Sequence, residues 1–206
     1  MLQPKIARLL AAIIALLAWT GLAIQFQASF THYHTVAATL WVMLLYFTVI
    51  VNLLVAIFFS ATALGYARLA TPFRLAAVTI AILLVGVVYN LLLNGLVELS
   101  GGAIWADLIN HSITPAAVTL FWLLIAKKGG LRWNAPPQWA LLPVVYFAYA
   151  LVRGSTEGKY PYPFMDVAQL GWRRTLVNAA AMALAFLIVG YAMVWLDRRL
   201  APARSR

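Results

Sequence analysis

The stretch LAAVTIAILLVGVVYNLLLNGL, residues 75–96, decides the fold class of this chain. It contains no charged side chain, and about 20 apolar residues are enough for a helix to cross the hydrocarbon core of a bilayer. The rest of the chain has the same character, since 65% of its 206 residues are hydrophobic and only 10% are charged. A soluble domain carries about 25% charged residues. We therefore predict a protein that uses the bilayer as its solvent.

Six apolar stretches of this kind predict an all-α membrane protein, a single domain over residues 1–206 built as a bundle of six transmembrane helices. The predicted spans are 6–24, 38–58, 75–96, 105–126, 139–152 and 176–196. The fifth is the shortest and has Pro143 inside it. There is no cysteine, so disulfides and thiolate metal ligands are excluded.

The distribution of lysine and arginine predicts the orientation of the bundle. Cytoplasmic loops of membrane proteins carry an excess of these residues. If the six spans alternate in direction, eleven of the fifteen basic residues fall on one side of the membrane: Lys5, Arg8, Arg68, Arg74, Lys127, Lys128, Arg132, Arg198, Arg199, Arg204 and Arg206. We therefore predict that both termini lie in the cytoplasm. The protein itself is predicted to reside in a bacterial inner membrane. This asymmetry accounts for the net charge of +10 without a nucleic-acid partner.

The longest connection between predicted spans is GSTEGKYPYPFMDVAQLGWRR, residues 154–174, on the outer side. A residue that precedes proline is pushed towards extended geometry, so the two Tyr-Pro steps predict an ordered, extended loop. Tyrosine, tryptophan and similar aromatic side chains suit the headgroup layer. We interpret the loop as a lid over the outer face, with Tyr160, Tyr162, Phe164 and Asp166 as its candidate site residues.

Polar side chains inside the predicted spans gather in their outer halves. An ionisable or strongly polar group in hydrocarbon is costly and usually faces the interior of a bundle. These groups are Thr48 and Asn52 in the second span, Tyr89, Asn90 and Asn94 in the third, Asn110, His111 and Thr114 in the fourth, Tyr146 and Tyr149 in the fifth and Asn178 in the sixth. Thr48 is expected near the middle of its span. The set predicts one polar pocket that opens outward.

His111 is the only histidine inside a predicted span. Pro115 follows four residues later, where it cannot donate an N–H to the His111 carbonyl. That carbonyl is then free to accept a hydrogen bond from a neighbour or from water. His32 and His34, in the first outer loop, are expected to be solvated.

The available groups limit the chemistry. One intramembrane histidine excludes a bis-histidine haem and disfavours a zinc amidase, which needs several histidines; no G-x-S-x-G motif is present. A hydroxyl beside an imidazole remains, with Thr48 or Thr114 as nucleophile and His111 as base. Asn52, Asn90, Asn94, Asn110, Tyr149 and Asn178 are the candidates for orienting the reactants or stabilising an oxyanion. Neither a cofactor nor a metal is required.

Three short pieces resemble a known family. YFTVIVN at 46–52, LINHSITP at 108–115 and KYPYPFMDV at 159–167 are similar to the androgen-induced and ADTRP (androgen-dependent TFPI-regulating protein) family of six-span membrane hydrolases, and closer still to bacterial six-span relatives of that family. The resemblance implies a threonine nucleophile in the second span, a histidine in the fourth, and lipid esters as substrates, such as fatty acid esters of hydroxy fatty acids.

Two alignments of the fourth span remain open. The family carries Asn-His and then its catalytic histidine three residues later, so alignment on Asn110 and His111 places Thr114 at the catalytic position. Alignment on the run from histidine to proline places His111 there, and we adopt it because His111 is the only candidate base. The spacing from Thr48 to Asn52 is also one residue longer than in the family.

We therefore predict an integral membrane hydrolase of lipid esters in which Thr48 attacks and His111 moves the proton. Its partners would be membrane lipids and a lipid-like ester. The alternative is a non-enzymatic membrane protein that binds or transports a small apolar or lipid ligand through the same pocket.

Overall fold

A computed structural model of the chain describes residues 4–66 and 68–202. The chain divides into two compact units, Met1–Lys127 and Lys128–Arg206. The described residues form helices and turns, with no strand among them. Arg204 and Arg206, which we counted for the orientation, lie outside the described residues.

The first unit contains six α-helices, two of which continue into wider π-helical turns. In chain order these elements are α1 (Pro4–Tyr33), α2 (Val36–Met43), α3 (Phe47–Leu64), α4 (Pro72–Val88), the first π-turn (Tyr89–Leu93), α5 (Gly102–Leu108), the second π-turn (Ile109–Ile113) and α6 (Thr114–Leu124). α1 packs along α3 and α5, while α4 packs between α3 and α6. Fully buried apolar side chains such as Val51, Phe59 and Ile80 form the core.

Polar contacts fix the ends of these helices. Thr71 is the N-cap of α4 and its side chain accepts a hydrogen bond from the backbone N–H of Arg74, which satisfies one of the unpaired donors of the first turn. At the C-terminal end of α3, the Arg8 side chain donates to the carbonyl of Ala63 over 2.9 Å. A cation at this end of a helix is favoured by the helix dipole.

The second unit contains α7 (Ala135–Trp139), α8 (Leu141–Glu157), a short 3₁₀ turn (Pro163–Met165) and α9 (Val167–Arg199). Asp166 is the N-cap of α9 and accepts from the N–H of Gln169. α9 is kinked at Gly171, whose φ of 71° is easy only for glycine. Pro143 is tolerated because it falls in the first turn of α8, where its missing N–H has no intrahelical partner to lose.

Asp197 holds the turn that opens the second unit. Its side chain is buried, and its Oδ2 accepts from the backbone N–H groups of Gly129 and Leu131, each over 2.9 Å. The neighbouring Lys128 has a pKa lowered by burial, an effect that the negative charge of Asp197 opposes. One carboxylate near the end of α9 therefore anchors the connection that precedes α7.

Among the described residues, five helices are long and apolar enough to cross a membrane: Lys5–Tyr33, Phe47–Leu64, Pro72–Leu93, Ala135–Glu157 and Val167–Arg199. They agree with five of the six predicted spans. The predicted fourth span is helical over α5, the second π-turn and α6, but it is not among the five. Asp107, Asn110 and His111 within it lower its hydropathy.

Several predicted boundaries were wrong. α1 runs through most of the predicted first outer loop as far as Tyr33, since no glycine or proline interrupts it there. The predicted second span is broken between α2 and α3, so Thr48 is the second residue of α3 and not a mid-span residue. The predicted outer loop of 154–174 is largely helical, and only the connection between α8 and α9 remains outside α-helix.

We expect Asp197→Ala to destabilise the second unit, because the buried N–H of Leu131 would lose its acceptor and the N–H of Gly129 would keep only the Asp197 backbone carbonyl. The cost of about 1–3 kcal/mol should lower the Tm by roughly 3–10 °C, measured by thermal denaturation in detergent. Glu98→Ala is the control, since Glu98 is an exposed acid. Equal Tm values for the two variants would contradict the anchoring role of Asp197.

Candidate active site

The structure brings Thr48 and His111 together in the first unit. The Thr48 Oγ1 lies 3.2 Å from the His111 Nε2. Thr48 comes from the first turn of α3, and His111 is the middle residue of the second π-turn. Residues 63 positions apart in the chain thus form a direct hydroxyl–imidazole contact.

Asp107 lies on the other side of the imidazole. The His111 Nδ1 is 3.0 Å from the Asp107 Oδ1 and 3.1 Å from the Asp107 backbone carbonyl. Both groups only accept hydrogen bonds when the carboxylate is ionised, so Nδ1 carries the proton. In the neutral ring, Nε2 then holds the lone pair and accepts from the Thr48 hydroxyl.

The three side chains are partly shielded but not sealed. The relative exposure of the side chain is 17% for His111 and 23% for Asp107, and Thr48 is half-buried. The three side chains are therefore neither fully buried nor fully exposed. The row of hydroxyl, imidazole and carboxylate is the arrangement that activates an alcohol as a nucleophile.

Two asparagines repair the helix at His111. Pro115 lacks the N–H that would reach back to the carbonyls of this turn. Instead, the Asn52 Nδ2 donates to the Asn110 carbonyl and the Asn90 Nδ2 donates to the His111 carbonyl, each over 3.2 Å. The prediction that the His111 carbonyl accepts from a neighbouring residue is thereby confirmed.

The same two amides also bind their own helices. The Asn52 Nδ2 donates to the Thr48 carbonyl over 2.9 Å, and the Asn90 Nδ2 donates to the Gly86 carbonyl over 2.8 Å. A side-chain amide has two N–H donors, so both donors of Asn52 and both donors of Asn90 are used. Asn52 in particular ties the backbone of Thr48 to the residue before His111. Both asparagines can therefore orient the backbone around Thr48 and His111, but neither has an N–H left to stabilise an oxyanion.

Two glycines allow the helices to approach at this level. The Asn110 Nδ2 donates to the Gly21 carbonyl over 3.2 Å, and a side chain on Gly21 would collide with the Asn110 amide. A Cβ on Gly86 would lie 2.9 Å from the Pro115 Cβ. Close backbone contact at both points holds the second π-turn against α1 and α4.

Tyr89 covers one face of the imidazole. Its ring is stacked on His111 with 3.7 Å between the ring centroids and 12° between the planes. Tyr89 is the first residue of the first π-turn, directly before Asn90.

The remaining predicted residues of the first unit have other surroundings. Thr114 is fully buried, and its hydroxyl has no hydrogen-bond partner among the described residues. Of the two hydroxyls that the sequence left open, Thr48 is thus the one beside His111. The Asn94 side chain is exposed at the end of the first π-turn.

Six predicted site residues belong to the second unit: Tyr149, Tyr160, Tyr162, Phe164, Asp166 and Asn178. Within that unit, Asn178 donates from its Nδ2 to the Phe164 carbonyl over 2.9 Å. The rings of Tyr162 and Phe164 are stacked, with 5.2 Å between their centroids. The connection between α8 and α9 is therefore ordered, while its action as a lid stays a prediction.

Tyr149 takes part in a charged cluster on α8. Its hydroxyl accepts from the Arg153 Nη1 over 2.9 Å, and Arg153 also pairs with both carboxylate oxygens of Glu157. Arg153 is a buried residue. The surrounding hydrogen bonds compensate for burying its charge.

Two residues of this site, Asp107 and Tyr89, were not predicted as site residues, although Tyr89 is among the polar groups of the predicted third span. Asp107 stands four residues before His111, a spacing that puts two side chains on one face of a helix, so its proximity was open to prediction. No local pattern indicates the stacking of Tyr89, because it depends on how α4 packs beside the second π-turn.

Comparison with protein-family models, curated proteins and solved structures finds no match for this chain. Among the described residues, no group of three or more histidine, cysteine or acidic side chains could hold a metal ion.

We expect Asn90→Ala to loosen this site and Asn94→Ala to leave it unchanged. The first variant removes the donor that bridges Gly86 and His111, at a cost of about 1–2 kcal/mol. The second truncates an exposed amide of the same type four residues away. The Tm of each variant in detergent checks this difference, and a loss of stability that is equal in both would refute the bridging role of Asn90.

Proposed function

We propose that the chain is an integral membrane hydrolase of lipid esters in which Thr48 is the nucleophile and His111 the general base. The observation that carries this proposal is the 3.2 Å contact between the Thr48 Oγ1 and the His111 Nε2, with the Asp107 carboxylate on the opposite nitrogen. The proposal includes membership of the six-span hydrolase family that the three sequence pieces resemble.

The contacts support a two-step reaction. The Thr48 oxygen attacks the ester carbonyl carbon while its proton passes to the His111 Nε2. The resulting imidazolium returns this proton to the departing alkoxide, so the C–O bond of the ester breaks and an acyl-threonine remains. Water then attacks the acyl group, again losing a proton to Nε2, and the carboxylic acid leaves as Thr48 recovers its hydrogen.

Asp107 has a defined part in this scheme. Its carboxylate holds the ring in the tautomer with the lone pair on Nε2, and it stabilises the positive charge that the imidazole acquires. Asn52 and Asn90 hold Thr48 and His111 at a fixed distance by hydrogen bonds to the backbone carbonyls around them. No cofactor enters either step.

The position of the pair in the apolar helices supports a lipid substrate. Thr48 lies at the start of the candidate span Phe47–Leu64, and Tyr89 lies near the end of the candidate span Pro72–Leu93. Since one connection of a few residues joins these spans, the start of the first and the end of the second face the same side of the membrane. An ester carbonyl at that interface would leave its acyl chain in the hydrocarbon.

The topology that we propose puts this interface on the outer side. The connection between α3 and α4 bears Arg68, and Arg74 follows in the first turn of α4, so the positive-inside rule assigns it to the cytoplasm. In this proposal the segment of α5, the second π-turn and α6 is a sixth span. Both termini then lie in the cytoplasm of a bacterial inner membrane.

The first test is covalent labelling of the purified protein in detergent with an alkyl fluorophosphonate. The reaction forms a bond between the Thr48 oxygen and phosphorus and expels fluoride, with the proton passing to His111. We expect labelling of wild type, none of Thr48→Ala, and a rate lowered by about 100-fold or more in His111→Ala. Thr48→Ser, which keeps a hydroxyl, should still react.

Thr114→Val is the matched control, since it removes the other candidate hydroxyl while keeping the volume of a buried side chain. We expect it to label within about threefold of wild type. Labelling that survives in Thr48→Ala but disappears in Thr114→Val would show that Thr114, and not Thr48, is the nucleophile. Folded wild-type protein that does not react at all would refute the enzyme and point to the binding or transport role.

We expect Asp107→Asn to lower the labelling rate by about 10²–10⁴-fold while leaving the protein folded. An asparagine amide can present an N–H to Nδ1, which favours the wrong tautomer and removes the charge that stabilises the imidazolium. The measurement is the rate constant of labelling, with the elution volume in size-exclusion chromatography as the check on folding. A rate equal to that of wild type would remove Asp107 from the mechanism.

A further inference from the structure

Hydrogen bonds alone do not fix the plane of the His111 imidazole, because the ring can still rotate about the line through its two hydrogen-bonded nitrogens. Nδ1 contacts Asp107 over 3.0 Å and Nε2 contacts Thr48 over 3.2 Å. These contacts define a line through the ring but resist rotation about that line only weakly, because hydrogen-bond energy changes slowly with modest tilt. A face-on contact is the one that opposes such rotation.

Tyr89 supplies that contact. The two rings are nearly parallel, at 12°, and their centroids are 3.7 Å apart. A tilt of the imidazole would therefore press its edge into the phenol ring. Tyr89 thus lies against one face of the base that Asp107 contacts through Nδ1.

The first π-turn explains how two consecutive residues reach the same histidine. Successive side chains of a regular α-helix point about 100° apart, which usually sends them to different neighbours. In the wider turn at Tyr89–Leu93, Tyr89 stacks on the His111 ring while Asn90 donates to the His111 carbonyl. π-turns inside α-helices occur frequently at functional sites.

We propose that Tyr89 is a positioning residue of the active site, which fixes the plane of the His111 imidazole and favours its protonated form during the reaction. This inference rests on the proposed function. The electron-rich face of the phenol ring attracts the imidazolium more strongly than the neutral ring. The charge exists only after Thr48 has given up its proton, so the stabilisation applies to the transition state and raises the rate.

The test separates a change in rate from a change in folded fraction. Fluorophosphonate labelling is followed over time at several probe concentrations, which gives a limiting rate constant, an apparent affinity and a final amplitude. For Tyr89→Leu we expect a limiting rate constant lowered by about fivefold to thirtyfold, with affinity and amplitude near those of wild type. Tyr66→Leu is the control, since Tyr66 is an exposed tyrosine of the same unit.

Tyr89→Phe keeps the stacked ring and removes the hydroxyl. We expect its limiting rate constant to stay within about threefold of wild type, and this variant also provides the test if the leucine variant does not fold. A limiting rate constant in Tyr89→Leu equal to that of wild type would overturn the inference, as would a loss of amplitude alone. A loss in Tyr89→Phe as large as in His111→Ala would overturn it as well, because the ring would then not be the acting group.

The same experiment distinguishes the two proposals. Absence of labelling in folded wild type would refute the hydrolase. Normal labelling of wild type, lost in Thr48→Ala but unaffected by Tyr89→Leu, would leave the hydrolase intact and refute only the role of Tyr89.

Discussion

The missing N–H of Pro115 is the constraint on which the first unit depends. A helix in an apolar medium must satisfy its backbone carbonyls within the protein, and the turn at His111 cannot do so by itself. Asn52 from α3 and Asn90 from α4 supply the donors. The repair of one broken turn thus ties three helical segments together at a single level, and it places the first turn of α3, with Thr48, beside the imidazole.

The choice of neutral amides for this repair follows from the cost of burial. Asn52 is completely buried, where a charged donor would need a counter-ion and where an unpaired amide would cost several kcal/mol in hydrocarbon. Its Nδ2 donates one N–H to the Thr48 carbonyl and the other to the Asn110 carbonyl, so both donors are hydrogen-bonded to the backbone. The one acid near the pair, Asp107, keeps 23% of its side chain exposed, so its charge is only partly desolvated.

Much of this fold could be predicted from the sequence, because the length of an apolar run and the residues that end a helix are local properties of the chain. The candidate spans Phe47–Leu64 and Pro72–Leu93 overlap the runs that hydropathy identified. The break between α2 and α3 was not predictable, since neither glycine nor proline occupies it. For the site, residue types pointed to Thr48 and His111 and spacing could have added Asp107, but the stacking of Tyr89 depends on packing between helices that no local pattern encodes.

Three irregular points of the backbone in the first unit lie at the residues around the Thr48–His111 pair. The start of α3 lies next to Thr48, the first π-turn begins at Tyr89, and the second π-turn is centred on His111. Regular helices direct successive side chains to different neighbours, and they hold their backbone groups in hydrogen bonds along the axis. Each departure from that geometry frees a side chain or a carbonyl for contact across helices. Because α3 and α4 are regular helices beyond these points, they give the irregular turns a rigid support, and the imidazole is contacted by three residues, Thr48, Tyr89 and Asp107.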